Sequence, residues 1–343
     1  MKAISAIIAI ILILMIVVAI AALSYTWFTG IFTSTTETAE ESIEKTTESM
    51  LAQMKIESIS AGKVYVRNTG QTDLTEVSIY VNDEPADFNM TPPVVGPGEV
   101  GTVSLYDFVG EEDTIKITSS GGSIVSKTAP DPCSDSSVVL CLKFDEGSGT
   151  IAQDSSKYGN DGTLYNNTTV CSGGDCPTWV NGKYGKALEF DGVDDYIEIP
   201  YDPSLFPYTG SWTVTGWIKS QGDSAVIVGT NYSRDGWWQV WLEWGEIWIE
   251  FFDGTNSVDG RFIPGSTIVN DGNWHYFAVV RDKSINNFTL YIDGIHDGTD
   301  KIDITGNIIN FNSTYIGTYV DPTPEQFFNG TIDEIIVYKK AIY

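Results

Sequence analysis

Histidine is nearly missing from this chain. Only His275 and His296 occur in 343 residues, too few for a histidine-built transition-metal centre. Neither stands in a nucleophile–base pattern. His275 lies inside the apolar run Trp274-His275-Tyr276-Phe277-Ala278-Val279-Val280 and reads as a strand residue. Basic side chains are also scarce, 19 against 46 acidic ones, a formal net charge of −27. Such a surface repels phosphate backbones and excludes nucleic acid as a partner, while attracting divalent cations. There are four cysteines, none before Cys133, and no CxxC motif. No glycine-rich phosphate loop is present either. Long apolar runs are absent except for one, at the N-terminus.

That run, Ala3 to Leu23, has Ser5 as its sole polar residue, and no charge falls between Lys2 and Glu37. About 20 apolar residues span a bilayer as a helix, and Tyr25, Trp27 and Phe28 follow where an interfacial belt would sit. Three readings are open: a secretory leader cut after Ala19-Ile20-Ala21, a one-pass anchor, and a filament-core helix. The segment Lys2-Ala3-Ile4-Ser5-Ala6-Ile7-Ile8-Ala9, running on to Tyr25-Thr26-Trp27-Phe28-Thr29-Gly30, resembles the N-termini of archaeal type IV pilins and archaellins. The resemblance implies cleavage between Ala3 and Ile4 and self-assembly of the retained helix into a filament. Beyond it, Ile43, Met50, Leu51 and Met54 form a narrow apolar stripe at helical spacing, so residues 31–55 are expected to be a polar helical stalk.

Residues 56–128 change period. Lys63-Val64-Tyr65-Val66-Arg67, Val77-Ser78-Ile79-Tyr80-Val81, Val103-Ser104-Leu105 and Thr114-Ile115-Lys116-Ile117-Thr118 are short runs, mostly alternating. Asn68-Thr69-Gly70, Asn82-Asp83 and Gly96-Pro97-Gly98 separate them, which predicts a small antiparallel sandwich. This pattern, too, resembles the globular part of archaeal pilins. Ala129-Pro130-Asp131-Pro132 marks a stiff linker over 129–136.

From 137 to 343 the chain is rich in glycine, aromatics and β-branched runs, with strands of five to eight residues ended by Gly, Asn or Asp. The blocks Val138-Val139-Leu140-Cys141-Leu142-Lys143-Phe144, Gly185-Lys186-Ala187-Leu188-Glu189-Phe190-Asp191-Gly192, Trp212-Thr213-Val214-Thr215-Gly216-Trp217-Ile218 and Gly330-Thr331-Ile332-Asp333-Glu334-Ile335-Ile336-Val337-Tyr338, in that order, resemble the laminin G-like jelly rolls of the concanavalin A-like superfamily. The expected architecture is therefore mainly β: a transmembrane or pilin-type helix over 1–30, a stalk, a small sandwich, then a jelly-roll sandwich whose first and last strands pair.

The resemblance implies one Ca²⁺ where the chain ends meet, with Asp333 the first candidate ligand and Asp145 and Asp191 the next; oxygen-rich turns suit that ion. The segment Gly236 to Glu250 reads as a hairpin turning near Trp244-Gly245. It carries Trp237, Trp238, Trp241, Trp244 and Trp248, more than one sheet face can bury, so part of this cluster is expected on the concave sheet to stack on sugars. Trp212, Trp217 and Trp274 are expected in the core. Glu243, Glu246 and Glu250 do not form the alternating carboxylate set of related hydrolases, and no enzymatic activity is expected. Cys171 and Cys176 bracket a short loop, leaving Cys133 and Cys141; four cysteines allow three connectivities, and an oxidising exterior is expected. Sequons fall at Asn89, Asn166, Asn167, Asn231, Asn287, Asn312 and Asn329. Together these features point to a surface adhesion or recognition protein, a filament subunit displaying a glycan- or protein-binding head. The alternatives are a singly anchored surface lectin and, less favoured, a surface glycoside hydrolase.

Overall fold

The computed structural model describes residues 53–342, apart from 61–62, 87, 106–112, 120–123, 173–175, 206–209, 232–235, 253–260, 302–311 and 322. Side chains at 60, 261–264 and 299–301 are also outside the description. The regular secondary structure of the described residues is almost entirely strand. The one helical piece among them is a 3-10 turn, Pro132–Ser134, and none of their helices is long and apolar enough to cross a membrane.

This corrects the helix-led architecture expected above. The anchor over 1–30 and the Ala3–Ile4 processing site lie outside the described residues. The stalk expected through residue 55 gives way, where it can be seen, to the strand Met54–Ser60. The reason is periodicity: Met54, Ile56 and Ile59 are buried and the residues between them face out. A bulge after Ile56 shifts the alternation by one. Pairing with Lys63–Asn68 then outweighs a four-residue helical stripe.

Two four-stranded antiparallel sheets follow. One runs Met54–Ser60, Lys63–Asn68, Val100–Leu105, Phe88–Thr91; the other runs Glu84–Pro85, Ser78–Val81, Thr114–Thr118, Ile124–Thr128. Val64, Val66, Val103, Ile115 and Ile117 are among the residues of their common core. Asn68, fully buried, ends its strand by donating to the carbonyls of Thr72 and Val95 while accepting from Gly70 N.

The rest of the chain forms two large antiparallel sheets. The first runs Ile151–Ala152, Gly162–Asn166, Asp195–Ile199, Thr314–Ile316, Ser224–Thr230, Trp237–Glu243, Glu246–Phe252, Arg261–Ile268, with Thr169–Val170 as a ninth strand at the side. The second runs Thr178–Asn181, Lys186–Asp191, Asn329–Tyr338, Trp212–Ser220, Trp274–Asp282, Asn287–Ile292, Ile295–Lys301, with Val138–Leu142 as an eighth strand beside Asn329–Tyr338. First and last strands therefore meet, Leu142 opposite Ile335 and Leu140 opposite Val337. Strand alternation sends one set of side chains between the sheets. Trp212 there lies 5.4 Å from Trp238 and 5.5 Å from Phe288, and Phe288 stacks on Phe251 at 4.6 Å. Each such buried side chain contributes roughly 1.5–3 kcal/mol.

Candidate functional site

The tryptophan hairpin turns at Trp244 and Gly245, both with positive φ, 53° and 82°, the backbone of a two-residue type I′ turn. Alternation then sorts the cluster. Trp238, Val240, Leu242, Ile247, Ile249 and Phe251 enter the core between the sheets, so Trp238, 1% exposed, is removed from the expected ligand-binding set. Trp237, Gln239, Trp241, Trp248 and Glu250 project from the other, outer face. Trp237 is buried there, 6.4 Å from Phe252. Trp241 and Trp248 stand directly opposite each other and are half-buried. Trp244, 68% exposed, packs edge-on to Trp248 at 5.3 Å. Tyr319 joins the row from a distant hairpin, 5.8 Å from Trp241. Gln239, fully buried, orients the row: its Oε1 accepts from Trp241 Nε1 at 2.8 Å and its Nε2 donates to Thr230 O at 3.0 Å. Gln239 was legible in the outward register of Trp237 and Trp241; Tyr319, 78 residues beyond Trp241, carried no such signal.

A second cluster forms where the chain ends meet. Asp333 is fully buried on the outer side of the second sheet, opposite Trp217. Its Oδ2 accepts from Tyr184 N at 3.0 Å, while its Oδ1 has no hydrogen-bond partner among the described residues. Asp145 Oδ1 accepts from Lys186 N at 2.7 Å, on the same turn. Glycine at 182 leaves room for this convergence: a Cβ there would lie 2.5 Å from Asp333 Oδ2 and 2.6 Å from the carbonyl oxygens of Tyr184 and Lys186. Burial pushes the Asp333 carboxyl up to about 7, against backbone donors that favour its charged form. Burial, reinforced by Asp333, pushes neighbouring Glu334 up to about 8. Two carboxylates, one of them with a buried, unpartnered oxygen, and two carbonyls suit a hard divalent cation such as Ca²⁺. Asp191, expected to join them, is instead grouped with Asp194 and Asp195, their carboxylate oxygens within 4.8 Å of one another. The reason is local: Asp191 Oδ1 accepts from Val193 N and Asp195 Oδ2 accepts from Asp191 N, closing the turn on itself.

Trp212 sits between the sheets as expected. Trp217 and Trp274 do not: Trp217, Tyr276 and Ala278 form a separate cluster on the outer side of the second sheet, packed by Tyr184, Trp274 and Tyr291. Odd and even positions of Trp212–Ser220 face opposite ways, so one strand cannot send both tryptophans inward. The four cysteines close as Cys133–Cys141 and Cys171–Cys176. The first pins the linker over Ile336 and Tyr338. Among the sequons, Asn89, Asn167 and Asn329 are exposed, and Asn166, Asn231, Asn287 and Asn312 are half-buried. Asn166 Nδ2 donates to Asp194, and Asn231 Oδ1 accepts from Val320 N.

Likenesses to known proteins are limited. Residues 191–343 match the Laminin_G_3 family of the concanavalin A-like lectin/glucanases superfamily. That match leaves the pilin resemblance of residues 1–128 without support. The calpain-type cysteine protease DEK1 of Arabidopsis thaliana is 26% identical over 98 residues, 26% of this chain and 5% of that protein. Among solved structures, the binding domain of Paraclostridial Mosquitocidal Protein 1 aligns with a TM-score of 0.47 at 16% identity, covering 60% of this chain and 49% of that one. The binding domain of botulinum neurotoxin DC, solved with rat synaptotagmin II, aligns at 0.46 and 15%, covering 60% and 48%. The chain thus spans under half the length of these relatives.

Proposed function

We propose that the C-terminal double sheet is an extracellular recognition module that binds carbohydrate along the Tyr319–Trp241–Trp248–Trp244 row and serves surface adhesion rather than catalysis. The observation that carries this reading is the cross-strand pair Trp241 and Trp248, half-buried on an outer sheet face and continued by the exposed Trp244. Flat, partly open indoles fixed in orientation suit the apolar C–H faces of sugar rings. Gln239 supports them by holding the Trp241 indole before any ligand arrives, which lowers the ordering cost of binding. Binding is favoured over hydrolysis because Glu250, beside the row, stands opposite the amide Gln239, while the two carboxylates that do face each other on this side, Glu243 and Glu246, lie at the turn end of the hairpin, where Glu243 accepts from Ser224 Oγ at 2.6 Å. The two disulfides fit an oxidising exterior. Attachment through a helix or a filament forms no part of the reading.

A Ca²⁺ held by Asp333 and Asp145 with the carbonyls of Tyr184 and Lys186 completes the module structurally, tying the first and last strands to the 182–186 turn. Tryptophan fluorescence of the full chain titrated with a broad panel of neutral polysaccharides tests the sugar reading. Binding weakened at least tenfold in Trp241→Ala and Trp248→Ala is expected; silence of the wild type across the panel overturns it. Scanning calorimetry with and without chelator tests the cation, and an unchanged melting temperature removes it.

A further inference from the structure

The opposite face of the molecule carries a different surface. On the outer side of the second sheet, Trp217 and Tyr276 stand directly opposite each other and are buried, while Trp274, Tyr291 and Tyr184 pack over them half-exposed. Tyr291 in turn meets His296 edge-on at 5.8 Å. This aromatic cluster is rimmed by ammonium groups in a chain that has few. Lys183 is exposed and its Nζ lies 4.3 Å from the Trp217 ring centroid. Lys219, also exposed, is two residues from Trp217 on the same face, about 7 Å along the strand, and directly opposite Trp274. Most of the nearby acids are already engaged: Asp333 is buried beneath the turn that carries Lys183, Asp145 accepts from Lys186 N on that turn, and Asp293 and Asp271, at the edge, pair with His275 at 2.8 and 3.1 Å, while the exposed Glu189 lies one strand beyond Lys219, across Thr331.

We infer that this face is a second binding surface, one that takes the carboxylated sugar ring of an acidic polysaccharide. A ring stacks on the half-exposed Trp274 and Tyr291, and its carboxylate lies between the Lys183 and Lys219 ammoniums. The charge complementarity is local: against a net charge of −27, a polyanion is repelled everywhere except where lysines face outward together. The aromatic floor adds what charge alone lacks, a preference for a ring over an unstructured polyanion. The surface is independent of the tryptophan hairpin, which lies on the other sheet, so the two readings stand or fall separately.

The test is binding of the full chain to alginate, to neutral dextran and to polyglutamate, with Lys183→Gln/Lys219→Gln, Trp274→Ala and Trp241→Ala variants, folding being checked by far-UV circular dichroism. Alginate is expected to bind and polyglutamate not; salt should weaken the alginate complex. The lysine double variant, whose exposed substitutions leave the fold intact, should bind alginate at least tenfold more weakly, and so should Trp274→Ala, while Trp241→Ala is unaffected. Polyglutamate binding as tightly as alginate reduces the surface to bare charge and overturns the inference. So does a double variant with wild-type affinity, an alginate complex lost in Trp241→Ala, or no alginate binding by the wild type.

Discussion

The two sheets of the C-terminal body share one core but close their outer faces by different means. On the first, the outer row is held by neutral contacts: Gln239 to Trp241, Tyr319 against Trp241, Trp244 against Trp248. On the second, the outer face is held by charge and covalent bonds. Asp333 receives the 182–186 turn and the Cys133–Cys141 bridge seals Ile336 and Tyr338, while His275, opposite Ile218 at the inward side of the sheet's edge, joins Asp293 to Asp271. Identical alternation thus yields one aromatic row fixed by neutral contacts and one outer face fixed by a carboxylate and a disulfide. The difference is chemical, and it lies in which residues occupy the outward positions.

Several substitutions would break or sharpen that contrast. Trp212→Ala removes a side chain of the core that the two sheets share; it should cost about 3–5 kcal/mol in urea unfolding, with the fluorescence and circular-dichroism transitions still coincident. Two separated transitions would mean that the sheets do not share their stability. Cys133→Ser with Cys141→Ser should cost about 2–3 kcal/mol and leave sugar binding at the Trp241 face unchanged; a parallel loss of that binding would dissolve the distinction between faces.

Asp333→Asn tests the second face directly. The carboxyl's folded value near 7 is raised above its unfolded value, so cation-free stability is fully present at acid pH and lost as pH rises through about 7. The amide removes that loss. At pH 8 with chelator the variant should be more stable than wild type by about 1–3 kcal/mol, the usual cost of a buried unmatched polar group, and it should no longer respond to calcium. Persistence of the calcium response places the ion elsewhere.

His275 is a smaller effect of the same sign. Burial lowers its affinity for a proton, but hydrogen bonds and attraction to Asp293 and Asp271 prevail, and its value is raised. Its pairing therefore stabilises fully below about 6.5 and fades as pH rises past the folded value. His275→Gln should flatten that dependence by about 1 kcal/mol or less after solvent screening. Trp244→Ala, at the open end of the first face, should alter stability by less than about 0.5 kcal/mol while weakening sugar binding.

Much of the strand pattern was legible in advance because period-two alternation and Gly, Asn and Asp turns are local properties. The Trp244-Gly245 turn and the separate small β-body were readable in this way, whereas the pairing of the first and last strands followed from the jelly-roll resemblance alone. The stretch at Met54 was not, since its residues fit a helical stripe and a strand equally until Lys63–Asn68 offers a partner. Trp238 was grouped with its neighbours because composition counts tryptophans without assigning them to faces. Asp191 was grouped with Asp333 because both lie in acidic turns, yet its own turn uses its carboxylate for the backbone of Val193.

By itself, the order of residues determined that this is a β-rich, acidic chain with two β-bodies, and which positions alternate along each strand. Those are consequences of nearest-neighbour chemistry. Only the tertiary structure decided which side of each strand meets the other sheet, that Trp217 and Trp274 face outward while Trp212 does not, and that Asp333 and Asp145 converge on one turn. Each of those outcomes depends on pairing between segments up to 200 residues apart, and sheet register, which sets every side chain's face at once, is chosen by the whole core rather than by any local run.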